Sequence, residues 1–296
     1  MNALFARTNQ ALQINPPAGQ QSLSTHGSDW LWAVTAIFVF EFLIFFGLAF
    51  IARSGEKIFH YLFTIALLAG SIAYYALASD LAWDVIAQVD KPQHGDRQIF
   101  FAKFVYWVVS FPIVTIALGL VSGVSWATIF YNVTLAWTWI LSYLFTAYTT
   151  TTYKWGFYAF GTFAWVLLAF STLFEGHRSL NRLDVGPART HHFALAAWTN
   201  LLWLNYPIAF GISDAGNVIG VTPSFIYFGI LDVLLVPVLA VAFVVLSRKW
   251  DYNRLNIAFT QYGRVRTAEG TFPEKHTTAP AGGPVAAAEE PAAATV

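Results

Sequence analysis

The stretch that decides the fold is Ser224–Leu246, SFIYFGILDVLLVPVLAVAFVVL. At 1.5 Å rise per residue a helix of this length is about long enough to cross a hydrocarbon core of ~30 Å. It carries one charge, Asp232, and no lysine. A carboxylate facing lipid is costly, so Asp232 has to look toward other helices. The segment therefore reads as one member of a bundle.

Six similar runs precede it. With the seventh framed as Pro223–Leu246, the spans are Asp29–Ala52, Lys57–Asp80, Gln98–Leu120, Ser125–Ala147, Trp155–Gly176 and His192–Ser213. Helices are expected because a lipid-exposed segment must satisfy its own backbone hydrogen bonds. Barrel strands would be about half as long and would alternate in polarity. The expected fold class is all-α integral membrane, a seven-transmembrane-helix bundle over residues 29–250. Residues 1–28 are expected to be a disordered extracellular segment, and 251–296 a largely disordered cytoplasmic tail rich in Ala, Pro, Gly and Thr. The N-terminal stretch lacks the compact apolar core of a signal peptide, so the first span is expected to direct insertion.

Composition agrees. The chain is 57% hydrophobic and only 11% charged, where a soluble domain carries about 25% charged residues. Basic and acidic residues balance at 16 each, leaving no electrostatic case for nucleic acid. The absence of cysteine excludes disulfides, thiolate metal sites and thiol nucleophiles. No phosphate-binding glycine loop or Ser-His-Asp order points to an enzyme.

Orientation follows from the basic residues of the connections. One side collects Arg53, Lys57, Arg178, Arg182, Arg189, Arg248, Lys249, Arg254, Arg264, Arg266 and Lys275; the other holds Arg7, Lys91, Arg97 and Lys154. This places the C-terminus in the cytoplasm and the N-terminus outside. Trp30, Trp32, Trp155 and Tyr158 fall at outer ends, where amphipathic rings favour the headgroup layer.

Inside the bundle, Asp232 lies ~14 Å below the outer end of its span and Lys103 ~8 Å below the outer end of the third. Two arrangements are open. Lys103 can pair with Asp232, directly or through water, with tyrosine hydrogen bonds completing the site; this is the expected one. Alternatively Lys103 rises to the interface and Asp232 is left to tyrosines and water.

The third span reads FFAKFVYWVVSFPIVTIALGL (100–120), with Lys103, Tyr106, Trp107 and Pro112 at fixed spacing. The sixth reads WTNLLWLNYPIAF (198–210), with Trp203, Tyr206, Pro207 and Phe210. The seventh supplies Leu231-Asp232-Val233, and the second, FHYLFTIALLAGSIAYYALAS (59–79), supplies Tyr75. In spacing and order these segments, over roughly Asp29–Trp250, resemble the microbial rhodopsins. The resemblance implies a retinal-pocket-like interior lined by Tyr75, Lys103, Tyr106, Trp107, Pro112, Trp203, Tyr206, Pro207, Phe210 and Asp232.

The departures from that pattern are chemical. The resemblance puts the Schiff-base lysine four residues after Asp232, at Val236, and only an amine condenses with an aldehyde to a protonatable imine. The carboxylate that accepts the Schiff-base proton falls at Tyr106, and a phenol of pKa about 10 is a poor acceptor at neutral pH. The internal proton donor falls at Ala117. No lysine occurs between Lys154 and Lys249, so shifting the alignment recovers none. No covalent retinal, and no other cofactor or metal, is expected.

This pattern is similar to the fungal opsin-related proteins, a heat-shock-associated branch without the retinal lysine. That resemblance implies a plasma-membrane stress-response protein acting on membrane or proton-ATPase homeostasis, with membrane lipids, the plasma-membrane proton ATPase and a second copy of itself as partners. The alternative is a sensor or carrier holding retinal or another apolar molecule noncovalently; a channel, transporter or light-driven pump comes further behind. Without a polyene, Tyr106 and Phe111 are expected to fill the pocket.

Other signals carry less. Asn132-Val133-Thr134 lies inside a span and is not expected to be glycosylated. Gly119 and Gly123 are expected to mark a tight turn rather than a dimer face. His191-His192 reads as part of a basic juxtamembrane cluster touching lipid rather than a metal site, and His26, His60, His94 and His177 are scattered.

Overall fold

The computed structural model describes residues 9–52, 56–181, 186–250, 252, 255, 258–260 and 263–265. Seven long helices form one bundle: α1 (Thr25–Ile51), α2 (Lys57–Ala78), α3 (Ala102–Ser122), α4 (Trp126–Tyr148), α5 (Lys154–Asn181), α6 (Pro187–Phe210) and α7 (Val221–Ser247). Five of them are long and apolar enough to cross a membrane. The other two, α4 and α6, have 23 and 24 residues and dilute their aliphatic content with Trp, Tyr, Thr and Asn. The chain is an integral membrane protein.

The helices start and stop on local chemistry. Ser24 caps α1 by accepting from the Gly27 amide, and Ser125 caps α4 by accepting from the Thr128 amide. Gly123 ends α3 at φ 66°, a left-handed conformation that costs glycine little. Gly123 is thus a helix end, while Gly119 lies inside α3, where a Cβ would come within 2.8 Å of Ile129 on α4. A π turn at Ser171–Glu175 interrupts α5, and another at Gly211–Ala215 extends α6. In α7 the regular pattern breaks at Val236 (φ −108°, ψ −62°), where the following Pro237 has no N–H to donate.

The core is a layered aromatic interior centred on α3, 17 of whose 21 residues are buried. The perimeter is apolar in the opposite direction: Phe40, Leu43, Phe46 and Phe50 of α1, and Phe160, Phe163 and Phe170 of α5, are exposed. That inversion suits a hydrocarbon solvent. Where α1 meets α2, Gly70 lets the Phe38 ring in; a Cβ at Gly70 would lie 2.3 Å from it. Phe38 then stacks on Tyr74 at 5.1 Å, which fixes the tyrosine that matters most below.

Two sequence expectations need correction. The third span was expected to begin at Gln98, but Arg97–Phe100 is a strand (β2) paired antiparallel with Trp83–Ile86 (β1), Trp83 opposite Phe100. The connection forms a hairpin in which strand pairing satisfies the backbone of the buried β2 as it folds back on the bundle. The second correction concerns residues 9–28, which are packed rather than free. Asn15 donates to the Ser79 carbonyl, Gln21 is bridged to Arg97, the Leu23 amide donates to Gln98 Oε1, and Leu23 is buried. The expected tail beyond residue 265 lies outside the described residues.

Candidate functional site

The interior site has two tiers. The deeper is Asp232, buried on α7. Its carboxylate accepts from the hydroxyls of Tyr74 (2.5 Å) and Tyr206 (2.6 Å) and from Trp107 Nε1 (3.0 Å). Three donors from α2, α6 and α3 converge on one side chain, the arrangement that stabilises the anion in a dry interior. Trp107 and Tyr206 were expected around Asp232. Tyr75 was expected there too, and this is corrected: Tyr75 is 55% exposed and sets its ring edge against Trp32. Successive helical residues differ by about 100° in direction, and Tyr74, in step with Phe63, Leu67 and Gly70, holds the inward position.

The shallower tier is Asp214, which the sixth span was drawn one residue too short to include. It takes Arg97 Nε at 3.1 Å and forms a second ion pair with Lys103 Nζ. The expected Lys103–Asp232 pair is therefore corrected. Lys103 points the other way along the bundle axis, toward the end of α6, because the π turn delivers a carboxylate there. Its ammonium also lies 5.0 Å from the Phe228 ring centroid and 5.1 Å from that of Phe104, a supplementary cation–π contribution. Arg97 is fully buried and spends its other N–H groups on the Ile219 carbonyl (2.7 Å) and Ser224 Oγ (3.2 Å). Burial pulls its pKa down to about 10, so it stays cationic at neutral pH. Two cations and two carboxylates are thus stacked in a charge-balanced column.

Behind Asp232 the aromatic side chains close on one another. The Phe111 ring lies 6.0 Å from Trp107, 5.2 Å from Trp139, 5.8 Å from Trp203 and 5.0 Å from Tyr206. Phe210 stacks on Tyr143 at 4.3 Å. Pro112 is buried beside Phe111, and the Pro207 carbonyl accepts from Tyr158 at 2.9 Å. Tyr106 packs its edge against Phe38 and is not among the donors to Asp232. Val236 and Ala117 are buried without exposure.

At the first residue of α5, Lys154 is buried and bonded to Asp90 at 2.7 Å. Asp80, just past α2, accepts from Gln98 Nε2 at 2.7 Å. Burial nevertheless pushes the Asp80 pKa up to about 6. Between roughly pH 4 and pH 6 the folded state then holds more proton at this site than the unfolded chain, so stability falls as pH rises through that window. The melting temperature in detergent should rise when the wild type is taken from pH 7 to pH 5, and Asp80→Asn should flatten that dependence. An unchanged slope in the variant would remove Asp80 as the cause.

Residues 26–245 match the family model described as bacteriorhodopsin-like protein. Protein FDD123 of Trametes versicolor is 33% identical over 93% of this chain and 99% of its own length. The opsin-like protein carO of Fusarium fujikuroi is 32% identical over 86% of each, and the 30 kDa heat shock protein of Saccharomyces cerevisiae 28% identical over 93% and 90%. Among solved structures, the light-driven proton pump LR (Mac) of Leptosphaeria maculans superposes with a TM-score of 0.72 at 26% identity, covering 77% of this chain and 98% of that one. A seven-helix bundle with Asp232 held between Tyr74, Trp107 and Tyr206, together with these matches, makes the chain a member of the bacteriorhodopsin-like family, with fungal opsin-like proteins among its relatives.

Proposed function

We propose that the protein is a non-photochemical opsin-related protein of the plasma membrane, acting in stress tolerance through contact with lipid or with a membrane protein such as the proton ATPase. The observation that carries the reading is Phe111. Its ring lies 5.0–6.0 Å from the rings of Trp107, Trp139, Trp203 and Tyr206, which supports a filled interior in place of a pocket for an elongated apolar ligand. Val236 offers no amine for an imine, Tyr106 no carboxylate and Ala117 no proton. The stress role draws on similarity to the 30 kDa heat shock protein. The excess of Lys and Arg on the face opposite the β1–β2 hairpin supports a cytoplasmic C-terminus, and a C-terminal tag open to external protease on intact cells would reverse that orientation.

The test is an absorption spectrum of purified protein with added all-trans retinal, before and after hydroxylamine. No red-shifted, hydroxylamine-sensitive band is expected. A stable visible band that hydroxylamine bleaches would defeat the reading. Val236→Lys alone should give at most a poor pigment, because Phe111 still fills that interior; Val236→Lys with Phe111→Ala should do better.

A further inference from the structure

On the face opposite the hairpin, a cavity of about 530 Å³ opens between the start of α4 and the end of α5. Ser125 and Thr128 line one wall, and Phe170, Phe174, Glu175 and Arg178 the other. The π turn brings Glu175 to the wall, where Thr128 Oγ1 donates to Oε1 at 3.1 Å and Ser171 Oγ donates to Oε2 at 3.0 Å. Each oxygen keeps further acceptor capacity. Arg178 follows one turn later on the same side of the helix. Among the described residues the ion pairs are Arg97–Asp214, Lys103–Asp214 and Lys154–Asp90, so Arg178 belongs to none. Phe170 and Phe174 lie two turns and one turn before Arg178 on α5, 62% and 56% exposed, with ring centroids 4.9 Å apart.

We infer that this cavity binds the headgroup of a zwitterionic glycerophospholipid with a primary ammonium, of the phosphatidylethanolamine class. The phosphate goes to the Arg178 guanidinium, the ammonium to the Glu175 carboxylate, and an acyl chain to the Phe170–Phe174 surface. A fixed anion and a cation that has no ion pair among the described residues, on one wall, select a ligand carrying both charges. A purely anionic headgroup would meet the Glu175 carboxylate, and a choline would present no N–H to it. The inference builds on the reading of the protein as one that works by contact. Its test is separate, since a retinal pigment would defeat that reading and leave the lipid result standing.

The experiment is native mass spectrometry of the purified full chain after equilibration in mixed micelles holding equal amounts of phosphatidylethanolamine, phosphatidylcholine and phosphatidylglycerol. Wild type should retain the ethanolamine lipid preferentially. Arg178→Gln should weaken that retention about tenfold, the loss of one charge-assisted contact. Glu175→Gln should erase the preference for ethanolamine over the other two. Melting temperatures close to wild type confirm that both surface variants are folded. Equal retention of the three lipids by wild type, unchanged retention in Arg178→Gln, or displacement of the lipid by millimolar inorganic phosphate would overturn the inference.

Discussion

Asp214→Ala is expected to cost about 3–5 kcal/mol of stability, because it leaves buried cations without their carboxylate. Arg97 and Lys103 both lose their ion pair, and neither reaches solvent. Arg97 keeps the Ile219 carbonyl and Ser224, so most of the stranded charge is at Lys103. Adding Lys103→Met should therefore recover a substantial part of the loss, and adding it to Asp232→Ala should recover little. Chemical denaturation in detergent measures both. Equal rescue in the two backgrounds would return Lys103 to Asp232 and undo the two-tier description.

Asp232→Ala should be nearly as damaging, for a different reason. It leaves three buried donors, Tyr74, Tyr206 and Trp107, facing a void. Each unsatisfied donor costs about 1–3 kcal/mol before relaxation. Asp232→Asn should be much milder: its carbonyl can serve Trp107 and Tyr206, and the Tyr74 hydroxyl can turn to accept from the amide. Thermal melts should rank wild type, Asn and Ala in that order. Proton flux in reconstituted vesicles should stay at background for all three, in light and dark. Flux that depends on Asp232 would make it a transport group.

The bundle was legible because hydrocarbon solvent leaves its mark on every span, and Trp107, Trp203, Tyr206 and Asp232 because their spacing survives translation into any helix. What was missed lay where helical periodicity stops or local geometry departs from it. Asp214 sits in a π turn, whose wider winding changes the direction of a side chain by an amount no 3.6-residue wheel supplies. Arg97 opens a strand one residue before the span drawn from Gln98, and was read as a loop charge for orientation rather than as a buried one. Tyr74 was recoverable, since seven residues on from Leu67 returns to within about 20° of the same direction, whereas Tyr75 is turned about 80° away. The identity of Lys103's partner was not, because two aspartates lie within reach of a flexible ammonium and only the tertiary placement of α6 decides between them.

The cap around Arg97 also sets an order of assembly. Its contacts reach back to Gln21 and forward to Asp214, Asn217, Ile219 and Ser224, while Ser24 holds Thr222 across 198 residues of chain. Each forward partner emerges from synthesis only after the α-helical part of the sixth helix has been made. During biogenesis the Arg97 guanidinium and the Lys103 ammonium must therefore wait, hydrated at the membrane surface or held by the insertion machinery, until the last two helices arrive. The latch that joins the first helix to the last can close only on a complete ring.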